Sequence, residues 1–203
     1  MTVMAEVVAV VPVGGGPHRQ RIIEAAIELT ASSGWASVTM ARLADAVGVS
    51  RQTVYNDIGS KPALAEAMVL DELGRFLSVV ERAFDNHPGD LVESIREAAE
   101  GVLVLAQDNT LLHAIVSATH GADTELLPLL TTHADSLLVV AKGVLNERLA
   151  AFTLPFDEHQ LAVMIDVVIR VVLSHVMQPS DTPANTAADI AWISSRMLAG
   201  PSD

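Results

Sequence analysis

Cysteine is absent from this chain of 203 residues, which excludes disulfides and any thiolate-based zinc or redox site. An intracellular, cytoplasmic setting fits that absence. Aromatic residues make up only 3% of the chain, and Tyr55 is its single tyrosine. A core must therefore be built from aliphatic side chains, and a flat polyaromatic ligand stacked between rings is disfavoured. No apolar run reaches the ~18 uninterrupted residues that read as a membrane span. His113, His120, His133, His159 and His175 show neither H-x-x-x-H nor HExxH spacing, so no metal centre is expected. The glycine cluster at Gly14, Gly15 and Gly16 lacks the strand and the GK[ST] or GxGxxG context of a phosphate loop. No nucleophile–base motif is present either, so neither an enzyme nor a bound cofactor is expected.

Basic residues are also scarce. Twelve Lys and Arg stand against twenty-five Asp and Glu, a net charge of -13. Their distribution matters more than their sum. From Pro17 to Lys61, five basic residues accompany four acids, whereas the remainder holds seven basic and twenty-one acidic residues. An acidic body repels nucleic acid from every approach except one led by the slightly basic segment from Pro17 to Lys61. Binding to random duplex is then modest, and specific binding leans on base contacts.

What is present is apolar and helical in period. Half of the residues are hydrophobic, and no stretch alternates as a strand between hairpin turns. The expectation is an all-α protein of about nine helices, long enough to bury a substantial core. Breaks fall at Asn86 to Asp90, Gln107 to Asn109, His120 to Asp123, Thr153 to Pro155 and Gln178 to Asp181. The first sixteen residues, MTVMAEVVAVVPVGGG, lack a basic region and read as a flexible arm rather than a signal peptide.

The most informative stretch is VTMARLADAVGVSRQTVYNDIGSK, Val38 to Lys61. Thr39 is a good N-cap, and Leu43, Ala44 and Val47 give one apolar helical face. Gly48 supplies the left-handed residue that ends the helix, and Val49 can fill the gap to the next. Ser50 is a second N-cap. Arg51, Gln52, Thr53, Tyr55 and Asn56 then surround a single inward residue, Val54. That is a poor core helix and a good reader of the DNA major groove. Arg51 and Gln52 are the candidate base readers. Thr53, Tyr55 and Lys61 are the candidate phosphate contacts, and Thr39, Arg42, Ser50 and Asn56 complete the DNA-facing set.

The segment Arg21 to Leu64 resembles the N-terminal domain of TetR-type transcriptional regulators. The resemblance rests on RIIEAAIELTASSGW, VTMARLADAVGVS and RQTVYNDIGSKPAL. Matching features are Gly34-Trp35, Leu43-Ala44, Gly48-Val49-Ser50, and Thr53, Tyr55, Ser60, Lys61 and Leu64. Two residues depart from the pattern. Asp57 stands where the family often carries a histidine that approaches a phosphate, and Ile58 replaces the usual aromatic. An acid at that place repels the DNA backbone unless it caps a helix or pairs with a neighbouring Arg or Lys. The resemblance implies a homodimer, a four-helix interface made by the last two helices of each copy, and an effector pocket in the body. It implies a three-part chain: an arm over 1–16, a helix-turn-helix domain over 17–62, and an effector-binding and dimerisation domain over 63–203.

The body's own residues agree on two points. The helix expected from Asp157 to Met177 is apolar on nearly every side, which calls for burial on every side, in part against a second copy. Asp166 and Arg170 interrupt it at i,i+4 beside Ser174, either as a buried packing pair or as a polar anchor in a ligand cavity. Aliphatic runs such as Val102 to Leu105 and Leu137 to Val140 favour a lipophilic effector: an acyl chain, a drug or a sterol-like molecule. Asn109, His113, Arg170 and His175 are the candidate ligand contacts. The functional expectation is a dimeric repressor on an inverted repeat, released by that effector. A ligand-independent activator or architectural DNA binder is the alternative.

Overall fold

The computed structural model describes residues 16–113 and 134–199, and every regular element among them is helical. These are α1 (Arg19–Ser33), a 3₁₀ turn (Trp35–Ser37), α2 (Met40–Val47), α3 (Arg51–Ile58), α4 (Lys61–Asn86) and α5 (Leu91–Gln107), followed by α6 (Ala134–Leu149), α7 (Glu158–Met177) and α8 (Pro183–Leu198). A further helical turn opens at Thr110. The expected arm, apart from Gly16, the break at His120 to Asp123, and His120 and His133 themselves lie outside the described residues. The chain divides into two compact units, Met1–Met68 and Val69–Asp203.

In the first unit, three short helices close around Ile22, Ile23, Ala26, Trp35, Val38, Leu43, Val47, Val54 and Ile58, all buried. None of these helices is long enough to persist alone, so their mutual burial holds them, at roughly 1.5–3 kcal/mol per fully buried aliphatic side chain. Thr30, also buried, satisfies its hydroxyl by donating to the Ala26 carbonyl at 2.7 Å. Gly34, at φ 77°, ends α1.

In the second unit, α8 lies along α5. Small buried side chains meet there: Ser94, Ala98 and Ala99 from α5, and Thr186, Ala187, Ala191 and Ser194 from α8. They permit close approach, and the serine hydroxyls donate into their own helices, Ser94 to Asp90 O at 2.9 Å and Ser194 to Ile190 O at 2.8 Å. Phe84, Leu91, Ile95, Leu149, Met164 and Ile165 complete this core. Asp90 caps α5, accepting from Glu93 N at 3.0 Å. Asp157 and Gln160 form a reciprocal capping box at the start of α7, a D-x-x-Q signal that was present in the sequence.

The α4–α5 turn is clasped by Glu97. Its carboxylate accepts from Asn86 Nδ2 at 2.8 Å and pairs with His87 Nε2 at 2.5 Å. The Asn86 amide and then the His87 ring hold this carboxyl below its ordinary value of 4.5. A depressed carboxyl stabilises the fold above the unfolded value, and the contribution is lost as pH falls through the folded one. Glu97→Gln is therefore expected to melt below the wild type at neutral pH, with the two curves converging in acid below about pH 4.5. Melting curves that stay parallel across that window would show that the charge has no part in the clasp.

A single chain covers α7 only in part. Only Met164 and Ile165 are buried, whereas Val163, Val167, Leu173 and Met177 are 44–47% exposed. One chain covers one flank of the helix and leaves an apolar stripe outside, and Trp192 and Ile193 of α8 are exposed as well. At 20 residues and mean hydropathy 1.8, α7 has the length and composition of a membrane span, but Asp166 and Arg170 sit in its middle. These two are not a buried pair. Asp166 bridges Lys142 Nζ at 2.5 Å and Arg170 Nε at 2.7 Å, and the Arg170 side chain is 62% exposed. The Lys142 ammonium, then the Arg170 guanidinium, lower the Asp166 carboxyl below its usual range.

Candidate nucleic-acid interface and effector cavity

The turn between α2 and α3 is built by three local choices. Thr39 caps α2 by accepting from Arg42 N at 3.2 Å. Gly48 adopts the left-handed conformation, φ 75° and ψ 38°, and its N–H returns to Ala44 O, so any Cβ there would be strained. Ser50 caps α3 by accepting from Thr53 N at 3.0 Å, and its hydroxyl also meets Thr53 Oγ1 at 2.9 Å.

Val54 and Ile58 turn α3 inward, which leaves Arg51, Gln52, Tyr55 and Asn56 exposed and Thr53 half-buried. The Arg51 guanidinium and the Tyr55 hydroxyl have no hydrogen-bond or ion-pair partner among the described residues. Gln52 Nε2 donates to Asn56 Oδ1 at 2.9 Å, joining two amides on one face. Lys61 is pinned, with its ammonium 4.8 Å from the Trp35 ring centroid. Arg42 Nη1 donates to Ser37 O at 3.0 Å, so part of its fork already serves the fold. The residues expected to face DNA are thus exposed or half-buried on α2, on α3 and at the start of α4, and Thr39 and Ser50 also act as caps. Sequence reasoning missed the Trp35–Lys61 stack, although Gly34-Trp35 marked the position.

Asp57 does not face outward. Its Oδ2 accepts from His18 N at 3.0 Å, and its backbone carbonyl accepts from Arg19 Nη1 at 3.1 Å. This is the helix-capping arrangement under which an acid at that place is tolerated.

In the second unit, a cavity of about 230 Å³ is lined, among the described residues, wholly by apolar side chains. They include Phe76 and Val80 of α4, Ala99 and Val102 of α5, and Val168 and Val172 of α7. The volume lies below the ~300–1,000 Å³ of drug-sized pockets and suits a slender chain. A second chamber of about 340 Å³ adjoins it, sharing Leu112 and Val176 as walls. His113 and His175 both line this second chamber, with Gln107 and Asp181. His113 Nε2 lies 2.8 Å from Gln107 O, and His175 Nδ1 lies 3.2 Å from Ser180 Oγ. The Asp181 carboxyl is held low by the Thr182 N–H and then the Asn185 amide.

Two of the four candidate ligand contacts are thus brought together and two are not. Asn109 is buried, but its Nδ2 donates to Glu72 and its Oδ1 caps the turn at Thr110, accepting from Leu112 N at 2.7 Å. Arg170 belongs to the exposed ion pairs on α7 and lines neither chamber. The α4 contribution to the apolar cavity went unread, although Leu73, Phe76, Leu77, Val80 and Phe84 follow the i, i+3, i+4, i+7 spacing that reveals an inward stripe.

A left-handed glycine between two capped short helices, with the second carrying free polar side chains outward, defines a helix-turn-helix DNA-binding protein. The comparisons place it more closely. Residues 22–68 match the family of bacterial regulatory proteins, tetR family, and residues 90–196 match the bacterial tetracycline repressor C-terminal domain. The chain belongs to the TetR family and is a DNA-binding transcriptional regulator. Among its relatives, the transcriptional regulator AlkX of Mycobacterium tuberculosis is 25% identical over 173 residues, 85% of this chain and 81% of that protein. The crystal structure of AlkX from Dietzia sp. strain DQ12-45-1b, a repressor implicated in biodegradation of n-alkanes, is 27% identical with a TM-score of 0.71, covering 92% of this chain and 97% of that one. The regulator UidR of Escherichia coli is 27% identical over 135 residues, 66% of this chain and 56% of that protein. TetR-family regulators bind DNA and form dimers.

Proposed function

We propose that this protein is a dimeric, sequence-specific repressor that occupies an inverted-repeat operator in the cytoplasm and is released by an aliphatic small molecule. The observation that carries the reading is the outer face of α3, where the Arg51 guanidinium and Tyr55 hydroxyl are exposed and have no partner among the described residues. Arg51 reads a guanine edge, a contact worth ~1–3 kcal/mol of discrimination. The Gln52–Asn56 pair leaves one amide oxygen and one amide NH₂ for a neighbouring base, the donor and acceptor pattern that an adenine edge requires. Thr53, Tyr55 and Lys61 contact phosphates, with Lys61 oriented by Trp35. Thr39, Arg42 and Ser50 bring the first turns of α2 and α3 to the backbone, where helix N–H groups favour anions.

The headpiece corresponds to 17–62 and the body to 63–203. The exposed apolar stripe of α7, with Trp192 and Ile193 of α8, supports pairing with a second copy about a two-fold axis. Two headpieces so related read half-sites ~34–36 Å apart. The apolar cavity supports a hydrocarbon chain as effector, and His113 and His175 in the adjoining chamber receive its polar end. The likeness to AlkX of Dietzia, a repressor implicated in biodegradation of n-alkanes, supports an alkane-derived compound as that effector. Filling the cavity favours a body whose headpiece spacing no longer fits successive grooves, and DNA is released.

Selection of bound duplexes from a random pool tests the DNA part. Enrichment of an inverted repeat is the expected result. Arg51→Ala is expected to relax preference at one base position in each half-site, with a loss of roughly tenfold to a hundredfold in discrimination there. A uniform loss across all sequences would make Arg51 a phosphate contact instead.

A further inference from the structure

α3 has only eight residues, too few to hold a helix or its direction without tethers. Val54 and Ile58 anchor it from below, and Ser50 fixes its first turn. Its last turn is tied to α1 by Asp57 twice over: the carboxylate accepts from His18 N, and the carbonyl accepts from Arg19 Nη1. The approach is close. A Cβ on Gly16 would fall 1.8 Å from Asp57 Oδ1, so the carboxylate occupies the space that glycine leaves free. α1 is tied in turn to the end of α2 through Arg21 Nη2 and Val47 O at 2.8 Å.

We propose that Asp57 is a positioning residue for DNA recognition: with its carboxylate latched to the start of α1 in the space left by Gly16, it fixes the tilt of α3, so that specificity comes from its hydrogen bonds while its charge only weakens DNA binding in general. The proposal rests on the reading of α3 as the recognition helix.

Three variants separate the latch from the charge. Asp57→Asn removes the charge and keeps an acceptor oxygen. Asp57→Ala removes both. Gly16→Ala keeps the charge and expels the carboxylate from its seat. Affinity is measured on a duplex carrying the selected repeat and on the unselected random pool. Pool affinity is expected to rise roughly threefold in both Asp57 variants, the effect of one unit charge several Å from a phosphate in water. The ratio of selected to pool affinity is expected to hold in Asp57→Asn. It is expected to fall roughly fivefold in Asp57→Ala and Gly16→Ala, the size of a lost helix cap. Equal ratios in Asp57→Asn and Asp57→Ala, or a wild-type ratio in Gly16→Ala, would overturn the latch.

Hydrogen exchange at the His18 amide gives a readout that needs no DNA. It is expected to accelerate in Asp57→Ala and not in Asp57→Asn. If the wild type enriches no duplex, the reading of α3 has failed, and the exchange result alone decides the latch: unchanged exchange in Asp57→Ala refutes it.

Discussion

Glutamate at Val163 and Val167 together is expected to leave the protein monomeric and to weaken binding to an inverted-repeat duplex by at least ~100-fold, because a buried carboxylate without a partner costs several kcal/mol and each 1.4 kcal/mol is tenfold. The two positions stand one turn apart on the exposed stripe of α7, at 47% and 44% exposure. In a single chain nearly half of each is open to solvent, which a longer glutamate side chain can reach with its carboxylate, so the charges cost the monomer little. In a two-fold dimer each substitution occurs twice, which brings four carboxylates to one apolar face. The residues of α7 that hold the chain's own core, Met164 and Ile165, are untouched, and helix content is expected to stay at the wild-type level. Light scattering gives the mass, circular dichroism the helix content, and gel retardation the affinity. A double variant that remains dimeric would place the interface elsewhere.

The same helix marks where the sequence was most and least legible. Its all-round apolar character was plain, and so was the demand for cover. Which side one chain covers depends on where α5 and α8 lie, and no local pattern encodes that. The headpiece was easier because its determinants are local. Thr39, Gly48, Ser50 and Val54 each act on residues within about one turn, so capping and turn chemistry reach the geometry directly. Asp57 was harder, since its partner is His18, 39 positions away. A carboxylate that caps a distant helix looks in sequence like one that faces DNA. Asn109 and Arg170 were misplaced for a related reason. A polar residue amid apolar neighbours marks either a pocket wall or a structural partner, and Glu72, Asp166 and Lys142 proved to be the partners. His113 and His175, 62 positions apart in the numbering, meet at one chamber only because α7 ends beside the end of α5.

Filling the apolar cavity is expected to produce a repressor that no longer lets go. Ala99 is buried and lines the chamber of about 230 Å³, so Ala99→Phe directs a ring into space that is otherwise free of side chains. Ala99 also stands at the close α5–α8 contact, so the added ring costs roughly 1–3 kcal/mol of overpacking there, and the variant is expected to melt several degrees below the wild type while remaining folded. Dodecane and dodecanoate serve as probes. At a hundredfold excess over Kd a ligand stabilises the folded state by about 2.7 kcal/mol, roughly 5–10 °C in melting temperature for a protein of this size. The wild type is expected to show a shift of that order with dodecanoate and a smaller one with dodecane, because the carboxylate reaches His113 and His175. Ala99→Phe is expected to show neither shift and to stay on the selected duplex when dodecanoate is added. His113→Ala is expected to bring the dodecanoate shift down to that of dodecane. A full shift in Ala99→Phe would move the effector out of this cavity, and equal shifts for both probes in the wild type would remove the histidines from recognition.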